Sequence, residues 1–390
     1  MRILFWSEFF RPYVGGIEVL ASRLVPALSD RGHRFTVITS HGNLDLADEE
    51  EIGGTPIHRL PFREALVGRD PAKLARVRQR ITRIEEEFRP EIRHLFSIGS
   101  SSYFFCPPEA GRSPAIPTLV TLHSMLPQGA TAQLDGFLVR TIRAADWVST
   151  CSVQVLEATH RTIPEIRSFS SAILNGVEMP VLKPAPLPFD PPVMLCIGRL
   201  SPEKGFDLVV EAFSGVADRY PSARMVLAGD GPDRMALEQR TERLGLAERV
   251  MFRGMIPPGR VAEILNEATV VVVPSRREGL GLSAVEAALM ARPVVAAEIG
   301  GLPEVVLDGR TGLLVRPEDP TSIARAVISL LDDPRRATEL GDAARRRALH
   351  LFTLARCVDD YDGIYHRLAA ASRGGPRVGT EDAIQFTVKS

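Results

Sequence analysis

The chain is 390 residues long, with 45% hydrophobic and 24% charged residues and a formal net charge of −1. That length exceeds one ordinary core and predicts two domains, and the composition excludes a disordered or fibrous chain. The balanced charge gives no global field for nucleic acid, and no nucleic-acid-binding module is in view.

Met1–Trp6 is too short an apolar run for a signal peptide, because Ser7 and Glu8 follow at once; it reads as a first strand. Strands are predicted in the first half at Ile3–Trp6, Phe35–Thr39, Ile92–Phe96, Thr118–Leu122, Trp147–Thr150 and Ser171–Leu174. Helices fall at Glu18–Asp30, Pro71–Phe88 and Leu134–Ala145. This alternation argues for a parallel sheet covered on both faces. Within Lys73–Phe88 the residues Leu74, Val77, Ile81, Ile84 and Phe88 recur at helical spacing, with Lys73, Arg76, Arg80 and Arg83 among them. Packing on its own sheet is favoured for this helix over peripheral contact with an anionic membrane.

Lys183–Pro192 has five prolines in ten residues, which suits neither helix nor central strand. The second half then repeats the alternation. Its strands are Met194–Ile197, Met225–Ala228, Val250–Phe252, Thr269–Val273, Val294–Ala297 and Leu313–Val315. Its helices are Leu208–Tyr220, Met235–Leu244, Val261–Glu267 and Ser283–Met290, with a last one at about Leu351–Ala371. The expected fold is therefore α/β, with two doubly wound Rossmann-like domains facing each other across a cleft. The expected division is a first domain over 1–182, a linker over 183–192, a second domain over 193–350, a helix over 351–371 returning toward the first domain, and a flexible tail over 372–390. Ligands in such sheets bind at the carboxyl ends of the strands. No stretch of ~20 uncharged apolar residues occurs, so no span of a membrane is expected. Cys106, Cys151, Cys196 and Cys357 are far apart without zinc spacing, which suits buried thiols in a reducing cytosol.

The segment from Pro274 to Glu304 carries the most chemistry. A buried strand leaves through Pro274-Ser275, passes Glu278 and the Gly279-Leu280-Gly281 turn, and enters a helix bearing Glu286. Free N–H groups at such a helix start cradle phosphate, and two carboxylates around it suit a ligand that also has hydroxyls. A phosphorylated sugar or nucleotide meets both demands. Lysine is scarce, occurring only at 73, 183, 204 and 389, so Lys204 in Gly198-Arg199-Leu200-Ser201-Pro202-Glu203-Lys204-Gly205 carries information. Arg199 and Lys204 at a strand end suit a diphosphate leaving group; charges paired to Glu203 or Asp207 on a solvated loop fit about equally well. Gly15-Gly16 let a backbone approach a diphosphate closely, or simply meet a strand-to-helix turn. It is not a Gly-x-Gly-x-x-Gly fingerprint, which lowers the odds of a nicotinamide or flavin enzyme. His123 ends a strand, where it can bond a sugar hydroxyl or carry protons. Asp360-Tyr361-Asp362 reads as a solvated helix face, and the other histidines as surface or packing.

These pieces, in this order, resemble the family 4 retaining glycosyltransferases of the GT-B fold, from Phe10 to about Tyr365. The marks are Pro12 to Glu18, Arg31-Gly32-His33, His123, Ala145-Asp146, Asn175-Gly176-Val177-Glu178, Gly198-Arg199 with Lys204-Gly205, Gly229-Asp230-Gly231-Pro232, Pro274-Ser275, Glu278 through Glu286, Gly300-Gly301-Leu302-Pro303-Glu304 and Thr311-Gly312-Leu313-Leu314-Val315. The resemblance implies a cytoplasmic hexosyltransferase of glycan biosynthesis that uses a nucleotide-sugar donor, retains the anomeric configuration and requires no metal or other cofactor. Arg199 and Lys204 would neutralise the diphosphate. Gly16 and the backbone of Gly281 and Leu282 would donate N–H groups to phosphate. Glu286 would hold the ribose, Glu278 and the adjoining Gly279 would lie at the sugar, and His123 would contact the sugar and orient the reacting centre. Family precedent makes UDP-sugars and GDP-mannose the leading donors and a glycan, lipid-linked intermediate or small molecule the acceptor. The departures are Leu280, where the family commonly has an aromatic, and Ala291, where it commonly has Gly; Ala tolerates a left-handed helix end less well, so a local change of geometry is expected there. The alternatives are a non-catalytic nucleotide-sugar-binding partner in a glycan-assembly complex and, further behind, a Rossmann-type oxidoreductase.

Overall fold

The computed structural model describes residues 1–68, 70–105, 116–126 and 135–372. Cys106, Leu134 and the tail expected beyond 372 lie outside them. The chain divides into two units, Met1–Leu174 together with the chain from Ala355 onward, and Asn175–Leu354. The proline-rich segment 183–192 belongs to the second unit. Asn266 Nδ2 donates to the Lys183 carbonyl at 2.9 Å and Ala185 N to Asn266 Oδ1 at 2.9 Å, while the Thr269 hydroxyl donates to the Pro188 carbonyl.

In the first unit, β1 (Arg2–Ser7), β2 (Arg34–Ser40), β3 (Glu49–Ile52), β4 (Thr55–Leu60), β5 (Ile92–Ser97), β6 (Thr118–Leu122), β7 (Trp147–Thr150) and β8 (Ser170–Ala172) form one sheet in the order β3-β4-β2-β1-β5-β6-β7-β8. Only β3 and β4 pair antiparallel. The central strands are apolar on both faces (Ile3, Leu4, Phe5 and Trp6 are all buried), as a sheet covered by helices requires. The β3–β4 hairpin is new relative to the sequence reading. Its strand Glu49–Glu51 is acidic and exposed, and only Gly53-Gly54, both at positive φ, mark the turn.

The helix Leu354–Ser372 closes this unit. Tyr361, Ile364, Tyr365 and Leu368 are buried. The Tyr365 hydroxyl lies 2.6 Å from His94 Nδ1, and His94 Nε2 lies 2.8 Å from Thr121 Oγ1. Burial pushes His94 well below the ordinary imidazole range. The expectation of a solvated face at Asp360-Tyr361-Asp362 is therefore wrong: Asp360 and Tyr361 are buried, and burial pushes the Asp360 carboxyl up to about 6. Asp362 receives His33 Nε2 at 2.7 Å and Arg31 at 3.4 Å. His33, Asp362 and His366 bring three donor atoms within 4.8 Å of one another. Asp362 is already held by a short hydrogen bond and a guanidinium, so the trio reads as a clasp of the last helix on the turn before β2.

The second unit has β9 (Val193–Ile197), β10 (Arg224–Ala228), β11 (Val250–Gly254), β12 (Val270–Val273), β13 (Val294–Ala297) and β14 (Leu313–Val315), all parallel, in the order β11-β10-β9-β12-β13-β14. The strand order reverses between β9 and β12, so the connections from these two strands lead to neighbours on opposite sides, and it is at the carboxyl ends of such a strand pair that ligands bind in sheets of this kind. Two helices that the sequence reading passed over, Pro320–Asp332 and Pro334–Leu351, each start with Asp then Pro. Asp319 caps Ser322 N at 2.9 Å and Asp333 caps Arg336 N at 3.0 Å. The Asn175–Glu178 mark is a splice: Val177 N donates to Phe352 O at 2.8 Å, and Leu354 N donates to Val177 O at 2.9 Å. Cys151, Cys196 and Cys357 are buried free thiols, and among the described residues no helix is long and apolar enough to cross a membrane.

Candidate active site

The loops after β9 and β12 meet at the strand-order reversal. After β9, the 3₁₀ turn Pro202–Lys204 ends at Gly205, whose φ of 66° is left-handed and whose missing side chain clears the Pro274 carbonyl. That close approach brings Lys204 Nζ to 2.7 Å from Glu278 Oε2, and the Ser275 hydroxyl donates to the same oxygen at 3.1 Å. The alternative pairing of Lys204 with Glu203 or Asp207 is not adopted. Glu203 takes the Ser201 hydroxyl at 2.7 Å, and Asp207 takes Arg276. Arg199 lies on the same loop, exposed, and makes no side-chain hydrogen bond or ion pair among the described residues.

Beyond Glu278 the chain passes Gly279 and Leu280, both buried, and turns at Gly281 with φ 98°. Gly281 is the N-cap of the helix Leu282–Leu289 and supplies no side-chain cap. Among the described residues the amides of Leu282 and Ser283, at the open end, make no hydrogen bond, which leaves them as available donors at the positive end of the helix dipole. The turn is backed by Gly300 and Gly301. A side chain at Gly300 would strike the Glu278 carbonyl, and one at Gly301 would lie 2.8 Å from Leu280 Cα. The Gly300-Gly301 mark thus records two backbones packed against each other.

Glu286 lies on the same helix, partly buried, with no hydrogen-bond partner among the described residues. Burial pushes its carboxyl up to about 7. Ala291, two residues past the helix end, takes φ 53° and keeps the left-handed conformation that the sequence reading expected Ala to disturb. The next residue, Arg292, is 1% exposed and donates to the carbonyls of Met290 and Ala268 at 2.9 and 3.0 Å and to that of Ala185. It ties the proline-rich segment to β12.

Gly16 and His123 belong to the first unit. Gly16 opens the helix Gly16–Ser29 after β1, with Gly15 as N-cap. His123 stands at the carboxyl end of β6, its ring centroid 4.5 Å from that of Phe96. The second unit therefore brings Arg199, Lys204, Glu278, Gly279, Gly281, Leu282 and Glu286 onto two loops and one helix, while Gly16 and His123 sit at strand ends of the first sheet.

The profile described as glycosyl transferases group 1 matches residues 182–347, and that of glycosyltransferase family 4 matches residues 14–180. An alpha-maltose-1-phosphate synthase of Mycolicibacterium smegmatis is 33% identical over 65% of this chain and 74% of its own length. The chain belongs to the family 4 glycosyltransferases. A D-inositol 3-phosphate glycosyltransferase of Acidothermus cellulolyticus is 28% identical over 94% of this chain and 90% of its own. Among solved structures, the sucrose-phosphate synthase of Thermosynechococcus elongatus superposes with a TM-score of 0.80 at 25% identity, over 95% of this chain and 99% of that one. This family 4 glycosyltransferase thus has the GT-B architecture of two Rossmann-like units. One feature of its site escaped sequence reasoning: the Arg276 side chain, whose partners are 42, 69 and 74 residues away.

Proposed function

We propose that this glycosyltransferase moves a hexosyl group from a nucleotide-sugar donor to an acceptor hydroxyl, with retention of anomeric configuration and without a metal ion. The observation that carries the reading is the Lys204–Glu278 pair at 2.7 Å beside an uncapped helix start at the strand-order reversal. A cation and open amides suit a diphosphate; a carboxylate beside them suits the hydroxyls of the attached sugar. Arg199, exposed and without a hydrogen bond or ion pair among the described residues, supplies the second cation. Charge that develops on the leaving diphosphate as the glycosidic bond breaks is then stabilised where it forms, the role a bound cation would otherwise fill. Glu286 takes the ribose hydroxyls. Gly16 and His123 keep the roles that the family resemblance gives them, at phosphate and sugar. Retention follows the family pattern, with leaving-group phosphate accepting the proton of the incoming hydroxyl.

Incubation with a panel of UDP- and GDP-sugars, in the presence of chelator, tests the reading through slow donor hydrolysis and through transfer to glycan, lipid-linked and small phosphorylated acceptors. Phosphorylated sugars and polyols enter that panel because the names of the three relatives above carry them. The expected result is turnover of one donor class. Lys204→Ala and Glu278→Gln should each lower turnover by ~100-fold or more, the scale of losing an electrostatic group aimed at the reacting centre, with unchanged circular dichroism. Full activity in both variants overturns the assignment.

A further inference from the structure

Arg276 precedes Glu278 by two residues and grips the Lys204 turn from both sides. Its Nη1 and Nη2 donate to the two carboxylate oxygens of Asp207 at 2.7 and 2.8 Å, Nη1 also donates to the Pro202 carbonyl at 2.9 Å, and Nε donates to Glu318 Oε1 at 2.6 Å. The amides of Arg276 and Arg277 add bonds to the Glu203 carbonyl at 2.8 and 3.3 Å. Pro202 and Glu203 precede Lys204 on the β9 loop, Asp207 lies in the first turn of the helix Phe206–Arg219 that follows it, and Glu318 follows β14. One guanidinium therefore joins three segments that are far apart in the sequence. Burial raises the Asp207 carboxyl, but the hydrogen bonds and charge of Arg276, helped by a backbone N–H and by Arg240, together outweigh it and hold the group below the ordinary carboxylate range. Among the described residues the Arg276 side chain makes no hydrogen bond or ion pair with Lys204 or Glu278.

We propose that Arg276 is a positioning residue: it sets the separation of the Lys204 ammonium and the Glu278 carboxylate, and so where the donor's diphosphate is neutralised relative to its sugar. This rests on the role given to Lys204 above. Gly205 carries no side chain, so it adds no side-chain contact that would fix the Lys204 turn. A flat fork with fixed donor directions restrains that turn in a way a lysine point charge cannot, and a displacement of about 1 Å at a reacting centre costs ~100-fold in rate.

The test is a double-mutant cycle on the full chain, reading kcat and KM for donor hydrolysis in Arg276→Gln, Lys204→Gln and the double variant. Arg276→Gln should lower kcat/KM by roughly 10- to 100-fold, and by less than about 3-fold once Lys204 is already Gln, because residues acting as one unit are not additive. Arg276→Lys, which keeps the charge and loses the fork, should restore little. Asp207 keeps Arg240 within 3.6 Å when Arg276 is gone, which favours folding of the variant. Should Arg276→Gln nevertheless fail to fold, Glu318→Gln removes a single arm and should show a smaller loss, again absent in the Lys204→Gln background. Additive losses, full activity of Arg276→Gln, or full rescue by Lys overturn the proposal while the donor site stands. No effect of Lys204→Gln alone overturns both.

Discussion

At Glu286 a carboxylate sits in a buried helix without a hydrogen-bond partner among the described residues, and burial pushes it up to about 7. Its folded value lies above its unfolded one, so the folded state holds the extra proton between about 4.5 and 7, and stability falls as pH rises through that window. Glu286→Gln should therefore raise the stability of the second unit at pH 8, by up to about 3 kcal/mol, measured by urea unfolding. The same change should weaken nucleotide binding by ~10-fold, as loss of a charged hydrogen bond does. Ribose hydroxyls donate to the ionised form, so UDP or GDP binding should expel a proton below pH 7. Calorimetry at pH 6.5 in buffers of different ionisation heat should read that release, and it should vanish in the Gln variant. The sequence made both carboxylates legible through their spacing on a strand-turn-helix pattern. It did not make the Lys204–Glu278 pair legible, because Glu203 and Asp207 are nearer in sequence. It also hid Arg276, because its partners are brought to it by the sheet order.

Among the elements, the turn Glu278–Gly281 is shaped by glycines whose reasons differ. Gly300, at φ 54°, has the Glu278 carbonyl where a side chain would go, whereas Gly309, at φ 66°, has nothing within 4 Å. Gly309→Ala should cost about 1 kcal/mol, the strain of a left-handed backbone alone. Gly300→Ala should cost appreciably more, ~3 kcal/mol, and should lower activity because the relief must come from the Glu278 backbone. Thermal melts and donor turnover of the two variants check this contrast. Element positions were legible wherever apolar runs were continuous, as at Thr118–Leu122 and Val294–Ala297, which match the observed strands end to end. The β3–β4 hairpin was not, since exposed Glu49–Glu51 mimic a polar loop and only Gly53-Gly54 give the turn away.

Across the whole molecule the two units should respond to acid in opposite directions. In the first unit, burial lowers His33, His58, His94 and His160. Each then stabilises the fold when neutral, and that stability is lost as pH falls below about 6.5. Asp360 works in the reverse sense between about 3.8 and 6, but it is one group against four. Calorimetry between pH 7.5 and 5.5 should resolve two transitions, with the first unit's falling and the second unit's rising; parallel movement would refute the assignment. Removal of the helix from Ala355 onward should unfold the first unit, because it uncovers Tyr361, Ile364, Tyr365 and Leu368 and strips His94 of its Tyr365 bond. Loss of its transition, with the second retained, is the expected trace.

The splice at Val177 and Leu354 carries a consequence for biosynthesis. A ribosome delivers the amino-terminal sheet early, but the strip that covers it comes only after some 180 intervening residues. The middle of the polypeptide can mature alone, while the earlier part waits with greasy side chains uncovered until the helix from Ala355 has emerged. A stop codon near residue 354 would thus release a nascent product whose oldest portion is its least finished, the natural prey of chaperones and proteases.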